Sequence, residues 1–490
     1  MFGQEGDMRN NLVCPRVRSL VAAGLAGVIA GPLALTTTAG ASLPVPADPS
    51  THDLWTAGEL GGFVPITPAR VLDTRPTTAM GERETRNTPV SSVSSVPANA
   101  QSIVVNVTLL NASGPTYVTL WGDGPLPGTS NLNVALDPER PFDAQKISNV
   151  VTTRLDASGN LNVYNHDGTV DVLVDVIGYY LRVDQVVNMT TGQPLPEAPK
   201  VMGRVPMRHG TEPVSRRLID TRPGLIGDFE GNRVANPAVP STDRAIPLGP
   251  GETTTVRVFD PAVTGGVDID AVVLSLTATN ATEDSFLTIW EGGAMPVASN
   301  LNPVPNKTIA NQVIVPVAAD GTIKLHNHAG NVDVVIDQID RFSYGFSGYY
   351  LPFSTPFRAY DTRDTSTKMS FGDFTKELNT LDIYTEAAVV NVTITEPDDS
   401  SLLRLWMWNV APADEPGFET PVHSNLNWRP DETRSVQVIV PLHSTFETVG
   451  DVDQLLSATL GVRQHSGNVH VVFDVVGVFV DLPGPSLEAV

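Results

Sequence analysis

One cysteine, Cys14, stands in this chain of 490 residues, and it precedes the apolar segment Leu20 to Leu35 rather than following it. A lipoprotein anchor needs the opposite order, with small residues before the thiol, so Cys14 is a poor anchor. Arg9, Arg16 and Arg18 give a positive flank, and Ala39-Gly40-Ala41 gives a small-x-small cleavage pattern. Residues 1–41 therefore read as a secretory signal peptide, with Met8 an alternative start. After cleavage near Ser42 no thiol remains, and a secreted chain without disulfides depends on core packing alone. Charge is scarce as well, at 17%, and its balance is one-sided, with a formal net charge of -23. Such a surface repels phosphate backbones and anionic headgroups, which argues against nucleic acid. The one long apolar run is broken by Pro32 and is short for a membrane span, so no membrane association is expected after cleavage. Helical periodicity is missing too. So are a G-x-S-x-G elbow, an H-E-x-x-H helix, a Walker loop and a dinucleotide fingerprint. No cofactor is expected.

What the chain has is one pattern written three times. Each copy carries Asp-Thr-Arg, at Asp73 to Arg75, Asp220 to Arg222 and Asp361 to Arg363, about 140 residues apart. An apolar strand follows, holding Asn106, Ser275 or Asn391 among valines and leucines. A second strand contains Trp121, Trp290 or Trp406. Ser-Asn-Leu-Asn comes next, at Ser130 to Asn133, Ser299 to Asn302 and Ser424 to Asn427. The spacing suits whole domains rather than solenoid units.

Short β-branched runs bounded by Gly, Pro, Asn and Asp predict an all-β chain. The expectation is three tandem β-sandwich or small-barrel domains of about 120–140 residues. The divisions are a spacer at 42–62, domains at 63–182, 214–351 and 352–482, a linker at 183–213 and a tail at 483–490. The second and third domains are expected to couple more tightly than the first and second. Gly348-Tyr349-Tyr350 reads as the end of domain two, matching Gly178-Tyr179-Tyr180, with Asp340 to Phe346 as an insertion.

Each repeated motif has two readings. Asp-Thr-Arg is an internal latch or a ligand clamp, and its presence in every copy favours the latch. On that reading, Asp73→Ala should cost on the order of 2–4 kcal/mol. In Ser-Asn-Leu-Asn the asparagines should satisfy loop backbone, with Leu132, Leu301 and Leu426 in the core. One tryptophan per strand suits core packing, whereas Trp408 and Trp428 occur only in domain three and are the candidates for exposed ligand contact. His166, His328 and His465 occupy matching hairpin turns. The favoured reading is a turn residue that tolerates unusual backbone angles; only if the domains pack about a threefold axis and the turns meet are the three imidazoles candidate zinc ligands.

Arg70-Val71-Leu72-Asp73-Thr74-Arg75, Val105 to Thr108, Ser130 to Asn133 and Asp175 to Tyr180 together resemble the repeated β-domain of secreted actinobacterial and related bacterial proteins. That domain is often attached to hydrolase or surface-protein domains. The resemblance implies an accessory or surface role and names no catalytic residue. The expected function is a secreted, non-catalytic structural or adhesive protein of the cell surface, extracellular or wall-associated. Its expected partner is a cell-wall or extracellular glycan, or another surface protein. The alternative is a glycan- or cell-wall-binding module array. Carboxylates are abundant, so counting alone leaves a hydrolase with an unfamiliar acid pair open.

Overall fold

The computed structural model describes residues 59–481, apart from 76, 94, 138, 187, 189–194, 197, 207–214, 223–245, 263–268, 379–384, 408–422 and 450–451. The expected signal peptide, most of the spacer and the tail lie outside the described residues. Every regular element described is a β-strand or a short 3₁₀ turn, so the fold is all-β.

The first repeat contains β1 (Gly61–Asp73), β2 (Thr85–Pro89), β3 (Ala100–Leu110), β4 (Thr116–Trp121), β5 (Leu132–Val134), β6 (Ile147–Arg154), β7 (Asn160–Asn165) and β8 (Asp171–Arg182). They form two antiparallel sheets, in the orders β1-β8-β3-β6 and β2-β7-β4-β5. Alternation sets the core: Ile103, Val105, Val107 and Leu109 of β3 meet Val170, Val172, Val174 and Val176 of the last hairpin, all fully buried. The opposite face, with Val104, Asn106, Asp171 and Asp175, is also buried. Its cover comes from the other repeats.

The second repeat uses β9 (Met202–Val205), β10 (Arg216–Asp220), β11 (Thr253–Arg257), β12 (Ala271–Thr279), β13 (Leu287–Trp290), β14 (Ile309–Pro316), β15 (Thr322–Asn327) and β16 (Asp333–Tyr344). The third uses β17 (Gly348–Asp361), β18 (Met369–Glu377), β19 (Ala387–Thr395), β20 (Ser401–Met407), β21 (Leu426–Trp428), β22 (Arg434–Pro441), β23 (His443–Val449) and the long β24 (Val452–Asp481). Register shows the equivalence: β16 lies between β10 and β12, as β24 lies between β17 and β19.

Three of the expected divisions change. Met202–Val205, inside the stretch expected to be a linker, form β9 and pair with β16. Proline-rich flanks hide a strand of only four residues. Gly348-Tyr349-Tyr350 opens repeat three, because Tyr350 faces Phe479 in the register where Phe63 faces Tyr180. Asp340 to Tyr344 is no insertion, since it continues β16.

The repeats close into a ring. Their opening strands touch through Gly61 and Tyr350, Phe63 and Met202, and Gly348 and Arg204. The edge strands β6, β14 and β22 meet on the axis of that ring. Repeat one therefore contacts both others, as two and three contact each other. An edge strand exposes unpaired backbone groups. Here glutamine side chains cap them: Gln437 exchanges bonds with the Thr152 amide and carbonyl, and Gln312 does so with Ile439. The third equivalent position is Val150, which has no amide to offer.

Candidate functional site at the seams of the ring

At each Asp-Thr-Arg the triplet is only half of the latch. Arg70 is the hub, donating to both carboxylate oxygens of Asp175 at 2.8 Å and to Asp73 at 3.0 Å. Arg75 folds back onto Asp73 through its backbone amide and guanidinium, while Thr74 bonds Asp171 at 2.7 Å. Arg217 with Asp220 and Asp337, and Arg358 with Asp361 and Asp474, repeat the arrangement. The hydrogen bond from Arg75 holds the Asp73 carboxyl down at about 2. Arg363 does the same for Asp361, also about 2. These carboxylates are held by arginines of their own repeat. The hub arginines also cross a seam: Arg358 donates to the Gly128 carbonyl at 3.0 Å and Arg70 reaches the Val297 carbonyl at 3.5 Å.

Ser-Asn-Leu-Asn divides its work between the two scales. The first asparagine accepts from a strand amide of its own repeat, as Asn131 from Leu120, Asn300 from Ile289 and Asn425 from Leu405. Leu132, Leu301 and Leu426 are buried in the core. The serine carbonyl faces outward, to the neighbour. Asn106 donates to Ser299, Ser275 to Ser424, and Asn391 to Ser130. These three bonds run from repeat one to two, two to three, and three to one. The last asparagine crosses as well, with Asn302 on Ser148 and Asn133 on Ser435, both at 2.9 Å. The third such bond is missing because Ala310 stands where the other repeats carry serine. Asn427 accepts from Ser424 instead, at 3.1 Å.

The axis has two unlike ends. At one end, Phe63, Tyr180, Phe342, Tyr350 and Phe479 form a continuous aromatic plug with centroids 4.7 to 5.7 Å apart. Glycine makes it possible: a Cβ on Gly178 would lie 2.5 Å from the Phe63 ring, and one on Gly477 2.6 Å from Tyr350. In repeat two, register puts Asp340 at the glycine position and Arg204 at the aromatic one. Arg204, 2% exposed, bonds Asp340 at 2.5 Å and Glu386 of repeat three at 3.1 Å. Burial raises the Asp340 carboxyl, and the guanidinium opposes it.

At the other end lies a polar cleft of about 600 Å³, open solvent included, lined by all three repeats. Lys307 bridges Asp137 at 2.5 Å and Glu432 at 2.6 Å, joining repeat two to one and three. Arg140 grips Asp284, and Arg429 holds Glu139 at 2.8 Å. Between repeats two and three, His423 is fully buried and donates to the Leu405 carbonyl at 3.2 Å. Desolvation pulls its pKa to about 4, with Asp337 opposing and Arg404 and Arg217 assisting.

The expected site residues are placed differently. Trp408 lies outside the described residues. Trp428 is 4% exposed and packs in the core of repeat three, so it offers no face to a ligand. The inward register of β21 beside Leu426 puts it there. Trp121, Trp290 and Trp406 are also buried. His166 stacks on Tyr117 and His328 on Phe286, each at 4.3 Å, and His465 packs edge-on against Phe371. Threefold packing exists, yet it is β6, β14 and β22 that meet on the axis. Among the described residues no group of three or more His, Cys, Asp or Glu stands close enough to hold a metal, so the imidazoles do not converge. Sequence reasoning missed Asn106, Ser275 and Asn391. Their signal was a polar residue kept at one position of an apolar strand.

No family model matches the chain, and no curated protein matches it. A solved structure described as "Life in the extremes: atomic structure of Sulfolobus Turreted Icosahedral Virus" is 9% identical and covers 86% of this chain and 92% of that chain, with a TM-score of 0.16. So low an overlap supports no conclusion about fold or role.

Proposed function

We propose that the chain is a secreted, non-catalytic structural or adhesive protein of the bacterial cell surface. The observation that carries this reading is the cyclic bond set of Asn106, Ser275 and Asn391 on the three serine carbonyls. The repeated polar residues, where an enzyme or clamp would keep its working groups, are committed to holding the repeats together. The acidic balance and the leader-like start agree with an extracellular setting. With Cys14 as the single cysteine, no disulfide can form within the chain, so rigidity must come from packing and from these seams.

Export and retention test the reading together. The full chain is expressed in a bacterial host with and without residues 1–41, and cell, wall and medium fractions are probed. The expected outcome is leader-dependent appearance outside the cell, an N-terminus near Ser42, and retention on the wall. Protein that stays inside with its leader intact, or that hydrolyses a wall polymer, overturns it.

A further inference from the structure

The cleft at the polar end of the axis breaks the symmetry of the ring in a directed way. Register makes Ile147, Ile309 and Arg434 equivalent, the first residues of β6, β14 and β22, and all three line the cleft. Two repeats follow the apolar rule and one places a guanidinium there. One residue earlier, Thr308 and Thr433 bond neighbouring threonines at 2.7 and 2.8 Å, while repeat one carries Lys146. Lys146 also lines the cleft.

These two cations are the ones the seams do not use. Lys307 is held by Asp137 and Glu432, and Arg140 by Asp284. Arg434 reaches Glu432 only at 4.0 Å, and Lys146 is exposed with no ion pair among the described residues. Around them Asn133 and Asn302 donate across the seams through Nδ2 and keep Oδ1 as an acceptor. No aromatic residue lines the cleft among the described residues. A neutral sugar, recognised by stacking, has no platform here. A planar guanidinium fork matches a carboxylate, and amide and hydroxyl groups match sugar hydroxyls.

The geometry points to a site for a carboxylate-bearing sugar, a uronate unit, seated between repeats one and three with its acid group on Arg434 and Lys146. This site is independent of the structural reading, which stands whether or not a uronate binds.

The full chain is titrated with glucuronate, digalacturonate, glucose and inorganic sulfate at neutral pH. Both uronates should bind, with glucose and sulfate weaker by at least about tenfold. Tighter binding of digalacturonate than of glucuronate identifies a polymer end as the source, and equal binding identifies the free acid. Arg434→Ile and Lys146→Thr install the residue type that other repeats carry, so each should fold, and each should weaken uronate binding about tenfold. Backbone amide shifts in the unaltered chain give a second readout, with Ser148 and Asn133 moving on glucuronate addition. Equal binding of sulfate, an unchanged double variant, or shifts confined to the Tyr117 and His166 face would each overturn the assignment.

Discussion

The two ends of the ring axis are closed by opposite chemistry. The aromatic plug excludes water and packs rings over glycines, whereas the far end is held by Lys307 between two carboxylates at an open mouth. The difference teaches where each kind of contact pays off. Aromatic burial contributes regardless of salt or pH, and the plug is where cohesion resides. Charged contacts beside solvent leave capacity for a visitor.

The largest expected effect tests the plug. Phe479→Ala removes a ring shared by Tyr180, Phe342 and Tyr350 and should cost about 3–5 kcal/mol in chemical denaturation. Loss in repeat three alone, with repeats one and two melting unchanged, would break the picture of one cooperative ring. At the mouth, Lys307→Met strands Asp137 and Glu432, which are both largely buried, and should cost about 3 kcal/mol. Added salt should barely change the Phe479→Ala loss and should reduce the Lys307→Met loss only slightly, because the bridge is nearly buried.

Acid sharpens the contrast. His423 titrates near 6.5 when unfolded and at about 4 when folded, so the unfolded state binds the extra proton between those values. Stability should therefore fall as pH drops from about 6.5 toward 4, by up to roughly 3 kcal/mol. His423→Gln should flatten that limb in denaturation curves measured across the range. Asp73 and Asp361, held near 2, add a later loss below about pH 4, because their contribution is present above the unfolded value and vanishes as pH falls through the folded one.

Two smaller effects complete the comparison. Asp73→Ala should cost about 2 kcal/mol, the lower end of the sequence expectation, because Asp175 still pairs with Arg70. Tyr350→Phe should stabilise by about 1 kcal/mol, since its buried hydroxyl finds no hydrogen bond among the described residues. A destabilised Tyr350→Phe would show that the plug holds a polar contact.

The β-class and the three copies were legible because period two and turn residues are local properties of a strand. Leu132 could be placed in the core from its setting between two asparagines, and Asp73 in a latch from the recurrence of its triplet in every copy. The seams were not legible. Alternation puts Val105 and Asn106 on opposite faces, yet it does not say that a second domain covers the Asn106 face. Trp428 illustrates the complementary error: rarity among the repeats suggested exposure, while its strand register buried it. Arg204 lay hidden because a lone arginine between prolines carries no periodic signal.

Arg434 has a consequence that follows from all three repeats belonging to one polypeptide. In a homotrimer, any residue beside the symmetry axis is present three times, and three guanidiniums around one narrow cleft would repel one another. Covalent linkage removes that constraint, so a single arginine can face two isoleucines. The same linkage makes the Asn391 to Ser130 closure intramolecular, governed by an effective concentration rather than by dilution. Such a ring stays assembled at any protein concentration, however low.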